Sequence, residues 1–83
     1  MSLDRDQLID ELKALYAQVL EYPPEVVTDD IDLEAELGVD SLQHQLVLAR
    51  VAERRRLTLP PEAEMPSPLT PAAVADALIR PSS

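Results

Sequence analysis

From Asp4 to about Glu21 the apolar residues Leu8, Leu12, Leu15 and Val19 recur every three or four positions, with Ile9, Tyr16 and Leu20 beside them. That spacing draws one apolar stripe along a helix and leaves the polar residues on the opposite face. Asp4 is placed to cap the first turn, Asp6 adds negative charge where the helix dipole favours it, and Pro23 and Pro24 end the element. A second run, Leu46, Val47, Leu48 and Val51, predicts a helix from Ser41 to about Arg55. Asp40 is its N-cap, and Arg54, Arg55 and Arg56 sit near its end, where cations complement the dipole. Thr70 before Pro71 supplies an N-cap and a first-position proline for a last helix over about 71–79, with Val74, Leu78 and Ile79 inward and Pro81 beyond it.

Two proline-marked segments join these helices. Residues 22–40 carry Pro23, Pro24, the single glycine Gly38 and the acids Asp29, Asp30, Asp32, Glu34 and Glu36, yet also Val26, Val27, Ile31, Leu33 and Leu37. Aliphatic side chains this regular pin a long crossover onto a core, with a helical turn near Leu33 to Leu37, rather than leave it disordered. Residues 57–70 hold four of the eight prolines, which limits them to one short helical turn over about 60–65. The pattern therefore predicts an all-α fold, a small bundle of three main helices and one short one. Its centre is expected to include Leu8, Leu12, Leu15, Val19, Leu37, Val47, Val51, Val74 and Leu78.

Composition narrows the function. Eighty-three residues suit one domain over residues 1–83, its core about 4–80, with a thin core that here is aliphatic because Phe, Trp and Cys are absent. Without cysteine there is no disulfide, thiolate metal site or thiol nucleophile. The net charge of −9 is uneven: residues 1–40 carry −10 and residues 41–83 carry +1. Such a field repels phosphate backbones and anionic headgroups, so nucleic acid and membrane are not expected as partners, and cationic proteins are. No apolar run is long enough to span a bilayer and no secretory signal opens the chain, so a monomeric cytoplasmic protein is expected.

The segment with most chemical content is Leu37-Gly38-Val39-Asp40-Ser41-Leu42. It sets a serine hydroxyl at the first turn of a helix, directly after a turn that glycine permits. Free backbone N–H groups and the positive dipole end gather there, so an oxygen at that place can bear a phosphate ester. Taken alone, Asp40 and Ser41 are equally well a cap and a first-turn residue with no further role.

These six residues match the L-G-x-D-S-[LIVM] signature of the acyl carrier protein family, which the chain resembles over nearly its whole length: amphipathic first helix, long acidic first loop, second helix and short proline-bounded third. The resemblance implies a non-catalytic carrier. Ser41 would receive 4'-phosphopantetheine from coenzyme A through a phosphopantetheinyl transferase, with Asp40 and Gly38 shaping its turn. The arm's thiol would hold acyl cargo as thioesters for a ketosynthase, an acyltransferase or other synthase enzymes. Fatty-acid carriers typically show acidic residues after the serine, where this chain has Gln43, His44, Gln45 and Arg50. Peptidyl carriers usually have a glycine where it has Val39 and often histidine where it has Asp40. A polyketide or related pathway is therefore expected, with Leu42, Gln45, Ala49 and Arg50 as the docking stripe. The alternatives are an aminoacyl or peptidyl carrier of a nonribosomal pathway, or an unmodified helical interaction module.

Three rival constellations are weaker. An EF-hand starting at Asp30 would need glycine at Ala35 and glutamate at Ser41, so no metal site is expected. Asp40, Ser41 and His44 lie on one exposed turn and cannot converge as a triad, which leaves His44 as an expected surface residue. Arg54 to Arg56 are more simply a helix terminus or a protein contact than a nucleic-acid site.

Overall fold

The computed structural model describes residues 4–56 and 68–79, which form four α-helices and one short 3₁₀ turn with no strand among them. Helix α1 spans Arg5–Leu20, the 3₁₀ turn Pro24–Val26, α2 Leu33–Leu37, α3 Ser41–Arg55 and α4 Pro71–Ile79. The helical turn expected over 60–65 and the closing Pro81 lie outside the described residues.

Each boundary has a local cause. The Asp4 carboxylate accepts from the N–H groups of Asp6 and Gln7, satisfying donors that the first turn of α1 leaves unpaired. At its other end Glu21 takes the left-handed conformation and Tyr22 N–H closes back onto the Ala17 carbonyl. Asp32 caps α2 through Ala35 N–H at 2.9 Å, and Thr70 Oγ1 caps α4 through Ala73 N–H at 3.0 Å, next to Pro71 at the first helical position.

Helix α1 is the spine, with α3 and α4 packed on it. Polar ties give the directions: Glu11 of α1 meets Arg54 and Arg55 at the end of α3, whereas Tyr16 of α1 meets His44 near its start, so the two run antiparallel. Arg5 pairs with Asp76 at 2.6 Å and joins the start of α1 to the later turns of α4. Leu8, Leu12, Leu15, Leu37, Val47, Val51 and Val74 are buried as expected, while Val19 and Leu78 are half-buried against that core. Burying one such Leu or Val contributes about 1.5–3 kcal/mol, and most of the fold's stability resides here.

The acidic crossover is held as an ordered element. Val27, Leu33, Leu37 and Val39 are buried and Ile31 half-buried, while Val26, expected as a pin, is exposed because it ends the outward 3₁₀ turn. Leu33 N–H donates to the Leu69 carbonyl at 2.7 Å and Ala72 N–H to the Asp29 carbonyl at 3.1 Å, tying the crossover to the start of α4. Lys13 reaches Asp29 at 2.8 Å and offsets part of the charge that would push the loop away. The crossover thereby delivers the chain to the start of α3 in a fixed place.

Candidate functional site

The site is built where α2 stops and α3 begins. Gly38 ends α2 with φ of 70°, and its N–H returns to the Glu34 carbonyl at 3.1 Å. A Cβ there would meet no neighbouring atom within 4 Å, so glycine is favoured by the left-handed backbone and not by crowding. Val39 then turns inward, buried, with its N–H on the Leu33 carbonyl at 3.0 Å. With Val39 anchored, Asp40 and Ser41 emerge at the surface.

Asp40 is the N-cap of α3. Its carboxylate accepts from Gln43 N–H at 2.8 Å, and Gln43 Oε1 accepts from Asp40 N–H at 3.1 Å, a reciprocal capping box. Gln43 is a site residue that sequence reasoning had read only as a departure from acidic helices. Its place three residues after an Asp N-cap is the signal that could have found it. Ser41 is the first helical residue, exposed, and its hydroxyl makes no hydrogen bond to another described residue. The N–H groups of Ser41 and Leu42 have no partner within the helix, so the positive end of the dipole stands open beside that hydroxyl. An anionic ester there is favoured by about 0.3–1 kcal/mol.

Beyond the first turn α3 carries two stripes. His44, Val47, Leu48 and Val51 face the core, and Leu42, Gln45, Leu46, Ala49, Arg50 and Glu53 face outward. Leu42 is 76% exposed and Leu46 44%, and Leu46, Ala49, Arg50, Glu53 and Arg54 line a shallow groove. Leu46 belongs to the apolar run that marks this helix but points outward, because three consecutive apolar residues cannot all share one helical face. The Arg54 and Arg55 guanidiniums pair with Glu11 within the molecule, so they act as ties between α3 and α1.

His44 corrects the expectation of a surface residue: it is 2% exposed, buried in the core, and its Nδ1 lies 2.6 Å from the Tyr16 hydroxyl. Burial pushes its pKa below the ordinary histidine value and pushes the Tyr16 hydroxyl upward, so both are neutral at pH 7. The ring is turned into the core, tied to Tyr16, and cannot serve Ser41 as a surface base.

Among the described residues, the start of α3 thus sets an exposed serine hydroxyl where a covalently attached anionic group can be held. Residues 10–78 match the family model described as phosphopantetheine attachment site, and the chain belongs to that family. Its prosthetic group is covalent 4'-phosphopantetheine, and its role is that of a phosphopantetheine carrier. No curated protein and no solved structure matches the chain significantly. The first turn of α3 fits such a group: it combines an exposed hydroxyl with open N–H donors and a positive dipole end, and no acidic side chain follows the serine in that turn. Among the described residues no helix is long and apolar enough to cross a membrane.

Proposed function

We propose that Ser41 is the attachment residue and that the chain shuttles thioester-bound acyl intermediates between enzymes of a polyketide or related biosynthetic pathway. The observation that carries the first part is the exposed Ser41 hydroxyl, without a hydrogen-bond partner among the described residues, at the first position of α3 inside the Leu37-to-Leu42 signature. In modification by a transferase, Ser41 Oγ forms a bond to the phosphorus of coenzyme A that bears the pantetheine. The bond from that phosphorus to adenosine 3',5'-bisphosphate breaks, and the Oγ proton passes to the transferase. The capping box of Asp40 and Gln43 holds the first turn in place for this step, and Gly38 sets the approach of the chain. The attached group supplies a thiol that carries acyl cargo.

Partner docking is assigned to the outward stripe of Leu42, Gln45, Ala49 and Arg50, and the exposure of Leu46 supports including it in that stripe. Two of the positions that set this helix apart from acidic ones, Gln43 and His44, serve the cap and the core. Gln45 and Arg50 are thus the exposed residues that favour partners other than those of fatty-acid carriers. A loading assay tests it: holo protein offered to polyketide ketosynthases and acyltransferases should be acylated, whereas loading only by amino-acid adenylation domains assigns the chain to nonribosomal synthesis.

A further inference from the structure

The pair formed by Tyr16 and His44 lies in a core that is otherwise aliphatic among the described residues. Tyr16 belongs to α1 and His44 to the second turn of α3, one turn beyond Ser41. Their rings are nearly parallel, 16° apart with centroids 6.2 Å from each other, and the hydroxyl and Nδ1 are 2.6 Å apart. With Tyr16 donating to Nδ1 the hydroxyl proton is used, and no buried side-chain nitrogen or oxygen among the described residues lacks a partner.

The pair sits at a mechanically informative place. Aliphatic contacts resist separation of two helices but tolerate small slides and rotations, whereas a buried hydrogen bond has a direction and a length. Helix α3 is tied to α1 by polar contacts at two points: Glu11 with Arg54 and Arg55 near its end, and Tyr16 with His44 near its start. Between them lie Val47, Leu48 and Val51. A one-residue axial slip moves a helix by about 1.5 Å, enough to break the Tyr16 contact. Leu42 and His44 are about 200° apart around the helix, so holding His44 inward holds Leu42 outward.

We propose that Tyr16 and His44 are positioning residues for the modification of Ser41: their buried hydrogen bond latches the start of α3 to α1 and so sets the pose in which Ser41 and Leu42 meet the transferase. The proposal rests on Ser41 being the attachment residue. Tyr16→Phe removes one oxygen and leaves the ring. The double variant Tyr16→Phe/His44→Leu removes both polar groups, so no buried group is orphaned and stability recovers relative to the single variant.

The test measures steady-state transfer from coenzyme A by a broad-range phosphopantetheinyl transferase, together with amide hydrogen exchange over residues 41–48. For Tyr16→Phe, kcat/KM should fall about three- to tenfold and the first turns of α3 should exchange faster, at a temperature where the variant is fully folded. The double variant should regain its melting temperature without regaining kcat/KM. If it regains both, or if Tyr16→Phe leaves exchange and kcat/KM unchanged, the pair is packing alone and the proposal is overturned. Should Tyr16→Phe not fold, the double variant decides by the same two readouts. Failure of the wild-type protein to be modified at Ser41 removes the attachment reading itself, a result distinct from wild-type and variants being modified alike.

Discussion

Leu42 and His44, two residues apart on α3, have opposite fates: Leu42 is 76% exposed and His44 is sealed in the core against Tyr16. A leucine shown to solvent beside an unpartnered serine has no packing role, so its loss should be felt by partners and not by the fold. Leu42→Ala should change unfolding free energy by less than about 0.5 kcal/mol, against about 2–5 kcal/mol for the buried Leu12→Ala. Urea titration checks the first value, and transferase kinetics should show a raised KM for Leu42→Ala. An unaltered KM would remove Leu42 from the docking surface.

The capping box gives a second expectation. Asp40→Ala removes the acceptor for Gln43 N–H and should cost about 1 kcal/mol while the protein still folds. Because the lost contact lies in the turn that bears Ser41, hydrogen exchange should quicken at Gln43 and His44 before it does in the middle of α3. Uniformly faster exchange along the helix would contradict a local cap.

His44 makes stability depend on pH in a definite direction. Burial depresses its folded-state pKa below the ordinary value of 6.5, so between those two values the unfolded chain binds more protons than the folded one. Its contribution is complete above about pH 6.5 and is lost as pH falls through the folded pKa. His44→Gln should flatten the slope of melting temperature between pH 7 and the acid range. Tyr16 gives the mirror case: its pKa is raised, so stability should fall as pH rises above 10, and Tyr16→Phe should abolish that loss. Identical pH profiles for wild type and both variants would contradict the burial of this pair.

The −10 charge on residues 1–40 leads to a salt dependence. That sum already counts Arg5 and Lys13, whose pairs with Asp76, Asp10 and Asp29 lie at the surface. Exposed pairs of this kind contribute about 0–1 kcal/mol each, so screening the remaining repulsion outweighs weakening them. The melting temperature should rise from low to moderate salt in a calorimetric series. A flat or falling trend would contradict it.

Much of this architecture was legible in the chain because local signals agreed with one another. Asp40 before the run to Arg55, and Thr70 before Pro71, fixed both helix starts through chemistry that needs no tertiary context. Leu33 and Leu37 marked the helical turn within the acidic crossover. What escaped was the direction of polar side chains inside helices. His44 stands between two glutamines and reads as surface, although its spacing to Val47, Leu48 and Val51 puts it on the inward stripe. Tyr16 stands on the matching stripe of α1, but pairing the two requires knowing that α1 and α3 run antiparallel. Arg54 and Arg55 were likewise readable as a terminus, while their partner Glu11 lies more than forty residues away.

The most direct test of the central claim is the intact mass of the purified protein after incubation with coenzyme A and a broad-range phosphopantetheinyl transferase, run beside Ser41→Ala. The wild-type chain should gain the mass of a single 4'-phosphopantetheine group. Ser41→Ala should fold within about 0.5–1 kcal/mol of wild type and gain nothing. A folded wild-type chain that gains no mass, or an adduct that persists in Ser41→Ala, would contradict the account.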